Sequence, residues 1–176
     1  MYTLESQMDA LCGLLRDGTK DMRLKAPNDR DVTEISYEPP SIYPIYLPQS
    51  GALTGQQYPK APSVVVMPSA VVERGGAGTM PVTLAIVTYD PGTRDDGALV
   101  DLNNDGWRSL TTLISAIQRT LRKAGYIGGM VLTDDMRVGV YDSKNTDLRP
   151  YYVGWIELKL SYHYEVQSQS ALDLLN

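Results

Sequence analysis

The sequence contains no phenylalanine, one cysteine and one histidine, and each scarcity removes a class of chemistry. A lone thiol, Cys12, cannot close an internal disulfide or supply a zinc site built on cysteine pairs. With His163 as the only imidazole, catalytic triads and histidine-rich metal sites have too few members. No stretch approaches the roughly 20 apolar residues that a membrane-spanning helix needs. Positive charge is also in deficit. Lys and Arg number 16 against 21 Asp and Glu, a formal net charge of -5, so neutralising nucleic-acid phosphates is not an expected source of affinity. Residues 1–20 are amphipathic and acidic, unlike a signal peptide, and the expectation is a soluble, non-secreted protein.

What is present fits one domain: 176 residues, 43% of them hydrophobic, can bury a real core. The aromatic set is twelve Tyr and two Trp, and tyrosine gives large contact area while keeping a hydroxyl that must be wetted or paired. Such usage suits wet interfaces.

Leu4, Met8, Leu11 and Leu15 recur at helical spacing, predicting a helix over about 3–17 with Gly18 as its stop and Cys12 beside the apolar stripe. From about 21 to 62 the pattern breaks. Pro39, Pro40, Pro44, Pro48, Pro59 and Pro62 fall among Tyr37, Ile42, Tyr43, Ile45, Tyr46, Leu47 and Tyr58, which forbids a helix and disfavours an interior strand. The segment is too apolar for a solvated linker, so it is expected to lie as an extended arm against its own domain or a neighbouring subunit. Strands follow at 64–67 and 81–89, separated by the glycine-rich stretch 73–79, which reads as a hairpin tip carrying Arg74. It is not a phosphate cradle, since no Lys-Ser/Thr follows and a strand stands where a helix N-terminus is needed. Trp107, Leu110, Ile114, Ile117 and Leu121 predict a second helix, capped by Asn104 or Asp105 and ended by Gly125. Arg119, Arg122 and Lys123 suit its C-terminal dipole or an acidic partner. Met136, Val138 and Val140 alternate with polar residues in a third strand. In the last strand Ile156, Leu158, Leu160, Tyr162, Tyr164 and Val166 share one face, and Glu157, Lys159, Ser161, His163 and Glu165 the other.

Two acidic groupings are the only candidates for chemistry. Asp101-Leu102-Asn103-Asn104-Asp105-Gly106 reproduces the first half of a calcium loop, with Asp101, Asn103 and Asp105 as ligands. The closing position of that loop is Thr112, which offers no bidentate carboxylate. The pairs Asp95-Asp96 and Asp134-Asp135 lie in expected loops with no spacing that fixes a site. No G-x-S-x-G or H-E-x-x-H is present. The sequence therefore predicts no enzyme, no cofactor and no metal, with the aspartate loop as the alternative.

The order of elements predicts a single α+β domain over 1–176, a mostly antiparallel four-stranded sheet with two main helices on one face, an irregular arm at 21–62 and a short tail at 167–176. On four stretches in this order, YPKAPSVVVMP, VTLAIVTYDPGTRDDG, DGWRSLTTLISAIQRTLRKAG and LRPYYVGWIELKLSYHYEV, the chain resembles the tail terminator or tail-completion (neck) proteins of long-tailed bacteriophages. The resemblance spans roughly 58–166 and is one of arrangement, without catalytic signatures. It implies a virion structural protein, made in the host cytoplasm, that assembles as a homo-oligomeric ring, commonly a hexamer, at the tail-neck junction. The ring would end polymerisation of the tail tube protein and present a surface to neck and head-completion proteins. DNA would pass through its lumen without sequence-specific contact and no membrane would be involved. A different neck or head-completion subunit is the alternative within that class. Interfaces are expected at Tyr43, Tyr46 and Tyr58 in the arm, at Arg74, and at Leu172, Leu174 and Leu175 in the tail.

Overall fold

Two thirteen-residue strands form the spine of the molecule, each alternating buried and exposed positions. The computed structural model describes residues 3–27, 35–47, 49–50, 58–94, 100–101, 106–141 and 148–163; at 49–50, 58–59, 93–94, 100–101 and 134 it describes backbone only. In chain order the elements are α1 (Leu4–Thr19), β1 (Leu24–Pro27), β2 (Ile35–Glu38), β3 (Ser41–Pro44), β4 (Gln49–Ser50), β5 (Tyr58–Pro59), β6 (Ser63–Pro68), β7 (Val72–Arg74) and β8 (Ala77–Tyr89). There follow β9 (Thr93–Arg94), β10 (Val100–Asp101), α2 (Gly106–Ala124), β11 (Tyr126–Ile127), β12 (Met130–Val140) and β13 (Tyr151–His163).

The main sheet has seven strands, not the four expected from sequence, in the order β11-β12-β13-β8-β6-β3 with β7 also pairing β8. Every pairing in it is antiparallel except β3 with β6. The four expected strands are its centre. The additions are β7 and β11, too short to show periodicity, and β3, hidden among prolines. β3 is tolerated because it is an edge strand, where one side of the backbone needs no ladder partner. The Ser41 N–H donates to Pro62 O at 3.0 Å and the Ile45 N–H to Val66 O at 2.9 Å. Part of the expected arm is thus sheet, with Ile42 in the core. The residues before it form the β1/β2 hairpin, in which Leu24 pairs Glu38.

Both helices pack on one sheet face, as their apolar stripes require. Leu11 and Leu15 of α1 and Leu110, Leu113, Ile117 and Leu121 of α2 are buried against Val64, Val66, Leu84, Ile86, Ile156 and Leu160. Thr3 caps α1, accepting from the Ser6 N–H while Ser6 Oγ accepts from the Thr3 N–H. Gly18 does not stop this helix, which runs on to Thr19. It is the contact with α2: a Cβ there would lie 2.3 Å from Thr120 Oγ1. Leu4, expected in the stripe, is exposed one turn beyond the sheet's cover. Trp107 is a second correction, since the buried stripe of α2 passes through Gly106, Leu110, Leu113, Ile114, Ile117 and Leu121 and leaves the indole outside. Gly125 ends α2 as expected, with φ 63.

The hairpin tip is a two-residue turn, Gly75-Gly76 with φ 60 and 82, between β7 and β8. On the sheet face away from the helices Ala61, Val87 and Tyr89 make a smaller cluster with Leu47, Tyr151 and Val153.

Candidate interaction interface

The face of the sheet without helices is polar by alternation: Thr83 of β8, Arg137 of β12 and Glu157, Lys159 and His163 of β13 point there. His163 is exposed at the strand end opposite Ala77, as its place on the polar face predicts. A shallow cavity of about 560 Å³ on this face is lined by Ser69, Thr83, Asp135, Arg137, Glu157 and Lys159, among others. Its one ion pair, Arg137 with Glu157 at 3.9 Å, is exposed and worth little. The arrangement is a mixed-charge surface with no nucleophile and base in contact.

The two lateral edges of the sheet are apolar. On the β3 edge the chain leaves through a tight turn in which the Tyr46 N–H donates to Pro44 O at 2.8 Å and Ile45 sits at φ 69. That is the strained form of the γ-turn, adopted here by a β-branched residue. It presents Ile45 and Tyr46 outward, the latter 79% exposed. Tyr43, two residues before Ile45, is half-buried and pairs with Val65. Sequence reasoning named Tyr43 and Tyr46 but not Ile45, because a strained turn leaves no compositional trace.

On the opposite edge, β12 pairs outward with β11 only at Met130 and Val131. A bulge between Leu132 and Met136 then resets its register against β13. Beyond it the Tyr141 N–H donates to Val153 O at 2.9 Å, so by antiparallel alternation Gly139 and Arg137 also bond to β13. Met136, Val138 and Val140 therefore turn their N–H and C=O groups outward. Their side chains lie on the helix side, opposite Leu158, Ile156 and Gly154, yet Val138 and Val140 are exposed, the latter by 55%. The reason is the placement of α2 over β13 and β8, with Leu110 and Ile114 against Gly154. Helical spacing puts Trp107, Thr111, Gln118 and Arg122 on the flank of α2 away from Thr120 and α1. Arg122 accordingly shares a cavity of about 340 Å³ with Leu132, Thr133 and Met136. A groove thus runs between α2 and the edge of β12 that no strand among the described residues covers beyond Val131, with Trp107, 49% exposed and stacked by the Arg108 guanidinium at 5.0 Å, toward one end. The expected clean apolar face of β12 exists, but much of it faces this groove.

The remaining expected residues divide plainly. Arg74 is exposed beside the hairpin turn. Tyr58 lies in β5, paired with Ser50, its side chain outside the described residues. Leu172, Leu174 and Leu175 are outside them too, as are Asp95, Asp96, Asn103, Asn104 and Asp105 and the last expected strand positions, Tyr164, Glu165 and Val166. The Asp101 backbone pairs with Thr93. Gly106, read as the turn of a calcium loop, is buried as the first residue of α2, where a Cβ would lie 2.0 Å from the Tyr152 ring; packing accounts for it. Asp135 is exposed at the bulge. Among the described residues no three His, Cys, Asp or Glu cluster as a metal site, and no helix is long and apolar enough to cross a membrane. Burial pushes the Cys12 thiol up, with Arg16 opposing and Asp9 adding to it. No family model matches the chain, and no curated protein matches it in sequence.

Proposed function

We propose that the chain is a virion structural protein of the tail terminator type, a subunit that assembles head to tail into a ring at the head-proximal end of a phage tail tube. The observation that carries this reading is the pair of different apolar edges on one sheet, Ile45 and Tyr46 beyond β3 and Val138 and Val140 on β12. Two unlike patches on opposite sides of a subunit make a heterologous contact, and such contacts close into rings when the rotation allows. The strain at Ile45 supports it, since strained backbone is kept where a side chain must be displayed. The order of strands and helices on which the resemblance rests is compatible with this role.

On this reading the partners are further copies of the chain, probed first as a hexamer, the tail tube protein below and neck or head-completion proteins above. DNA crosses the lumen without base contacts. The polar sheet face and the exposed Arg74 are then available for the axial partners. The decisive experiment is electron microscopy of lysates from the parent phage with this gene deleted. Overlong, headless tails are expected. Normal-length tails that fail to join heads would transfer the protein to the neck-completion alternative, and intact virions would overturn both.

A further inference from the structure

Apart from Trp107 in its first turn, the exposed residues of α2 are Arg108, Thr112, Ser115, Arg119, Arg122 and Lys123. From Arg108 to Arg122 they recur at steps of four and three, and so share the side of the helix turned away from the sheet, with Lys123 beside them. Each carries hydrogen-bond donors, and none is acidic or apolar. The helix holds four bases and no Asp or Glu in a chain of net charge -5, so everything outside α2 carries -9. We propose that this ridge binds the phosphate backbone of duplex DNA without reading its sequence.

Three observations select a phosphate backbone over the acidic surface of a protein. The first is that the ridge has no apolar centre. Protein interfaces are held by buried aromatic and aliphatic anchors with charges at the rim, whereas this surface is charged or hydroxylated from Arg108 to Lys123. The second is its chemistry. Three of the four cations are arginines, whose planar fork matches phosphate oxygens, and Thr112 and Ser115 offer hydroxyls of the kind that complete backbone contacts. The third is that the cations are uncommitted. Among the described residues Arg119, Arg122 and Lys123 make no ion pair, and the cavity that Arg122 shares with Leu132, Thr133 and Met136 brings it no acid. Arg108, stacked on Trp107, adds its charge at the other end. The rise from Arg108 to Arg122 is about 21 Å, a length over which one strand of duplex DNA carries about six phosphates. The acidic remainder of the chain sets the orientation, because it repels a polyanion everywhere except at this helix.

The inference stands on α2 and goes beyond the ring reading without depending on it. In a ring closed through the two lateral edges of the sheet, one sheet face looks at the axis, and a DNA-binding α2 makes it the helix face. The test is fluorescence anisotropy of the full chain with two labelled duplexes of unrelated sequence, at 20 and 80 mM salt. The duplexes are expected to bind alike. With three phosphates neutralised by Arg119, Arg122 and Lys123, affinity should fall roughly fortyfold between the two salt concentrations. The double variant Arg119→Gln, Arg122→Gln is expected to bind at least tenfold more weakly at 20 mM salt, and its fall between the two concentrations should shrink to about fourfold. Arg137→Gln, Lys159→Gln removes the same charge from exposed positions on the opposite sheet face and is expected to bind as the parent does. Both variants change exposed side chains only, and urea midpoints report that they are folded. No binding at 20 mM salt, or equal losses in the two double variants, would overturn the proposal. So would displacement of the duplex by poly-glutamate at a lower charge concentration than by unlabelled duplex, because an acidic protein would then be the partner. Tail length in lysates reads the ring hypothesis separately, so the two fail independently.

Discussion

The indole of Trp155 on β13 lies over Gly139 on β12: a Cβ at 139 would stand 2.3 Å from the ring carbon Cζ2. The two residues are directly opposed across the ladder, so the glycine is the floor on which the ring rests. Replacing it by alanine requires the ring to lift or the strands to part.

Gly139→Ala is therefore expected to destabilise the fold by about 1–3 kcal/mol, the usual cost of overpacking. Gly13→Ala is the matched control with the opposite sign. Gly13 lies inside α1 with nothing within 4 Å of the added methyl, so it should gain up to about 1 kcal/mol from helix propensity. Urea midpoints of the two variants decide the matter, and equal effects would sink the packing argument.

Much of this frame is legible in the sequence, because period-two alternation in β8 and β13 and the 3.6-residue stripe in α2 are long enough to stand out. Gly18 and Gly106 are misread for one reason. A glycine that ends a helix, turns a loop or admits a neighbouring ring looks the same in sequence, and only the partners Thr120 and Tyr152 tell the uses apart. β3 is illegible because its four residues include Pro44 and pair in parallel with a strand about twenty positions on, a long-range contact with no local signal. The apolar edges are half legible: tyrosines mark the arm, whereas the exposure of Val138 and Val140 depends on how far α2 reaches across the sheet.

Lys25 of β1 holds the buried carboxylate of Asp90 at 2.7 Å, and the Gly92 N–H donates to the same oxygen at 3.0 Å. Asp90 is 3% exposed and stands at the end of β8, so the pair ties the β1/β2 hairpin to the spine. Lys25→Met leaves that carboxylate short of its counter-charge and is expected to cost about 3 kcal/mol, near the low end for a broken buried pair because Lys25 itself reaches water. The double variant Lys25→Met, Asp90→Asn should recover part of the loss. Non-additivity in the denaturation cycle is the readout, and strictly additive effects would remove the pair's role.

Ile45 offers a test in which stability and assembly move in opposite directions. An L-residue in the left-handed region carries about 1–2 kcal/mol of strain, and glycine at that site relieves it against about 0.5–1 kcal/mol of chain entropy. Ile45→Gly is therefore expected to be as stable as the parent or up to about 1 kcal/mol more so, yet to assemble poorly, since the exposed side chain is gone. Tyr46→Ser should leave stability unchanged and weaken assembly likewise. Deleting the whole arm is a poor substitute, because Ile42 is part of the core. Unimpaired assembly of both point variants, by sedimentation of the purified subunit with tail tubes, would eliminate this edge as an interface.

Alkaline pH should unfold the protein earlier than an ordinary thiol and phenol would predict. Burial raises Cys12 above its usual 9.0, Arg16 partly offsetting this and Asp9 adding to it; burial raises Tyr89 above 10.0, with the Asp90 charge adding. For each group the unfolded chain loses its proton first as pH rises. The folded state then binds more protons than the unfolded one, and stability falls with pH, by at most about 1.4 kcal/mol per unit per group. The contribution is complete below the ordinary pKa and is lost as pH climbs from there through the folded value. Urea midpoints at pH 7, 8, 9, 10 and 11 should be flat to about pH 8 and then decline. Cys12→Ala lowers the plateau by removing a buried side chain, but its decline between pH 9 and 10 should be shallower than the parent's, and Tyr89→Phe should flatten the curve only above pH 10. A Cys12→Ala curve parallel to the parent's throughout would mean that the thiol keeps its ordinary affinity for the proton inside the fold and that the alkaline loss arises elsewhere.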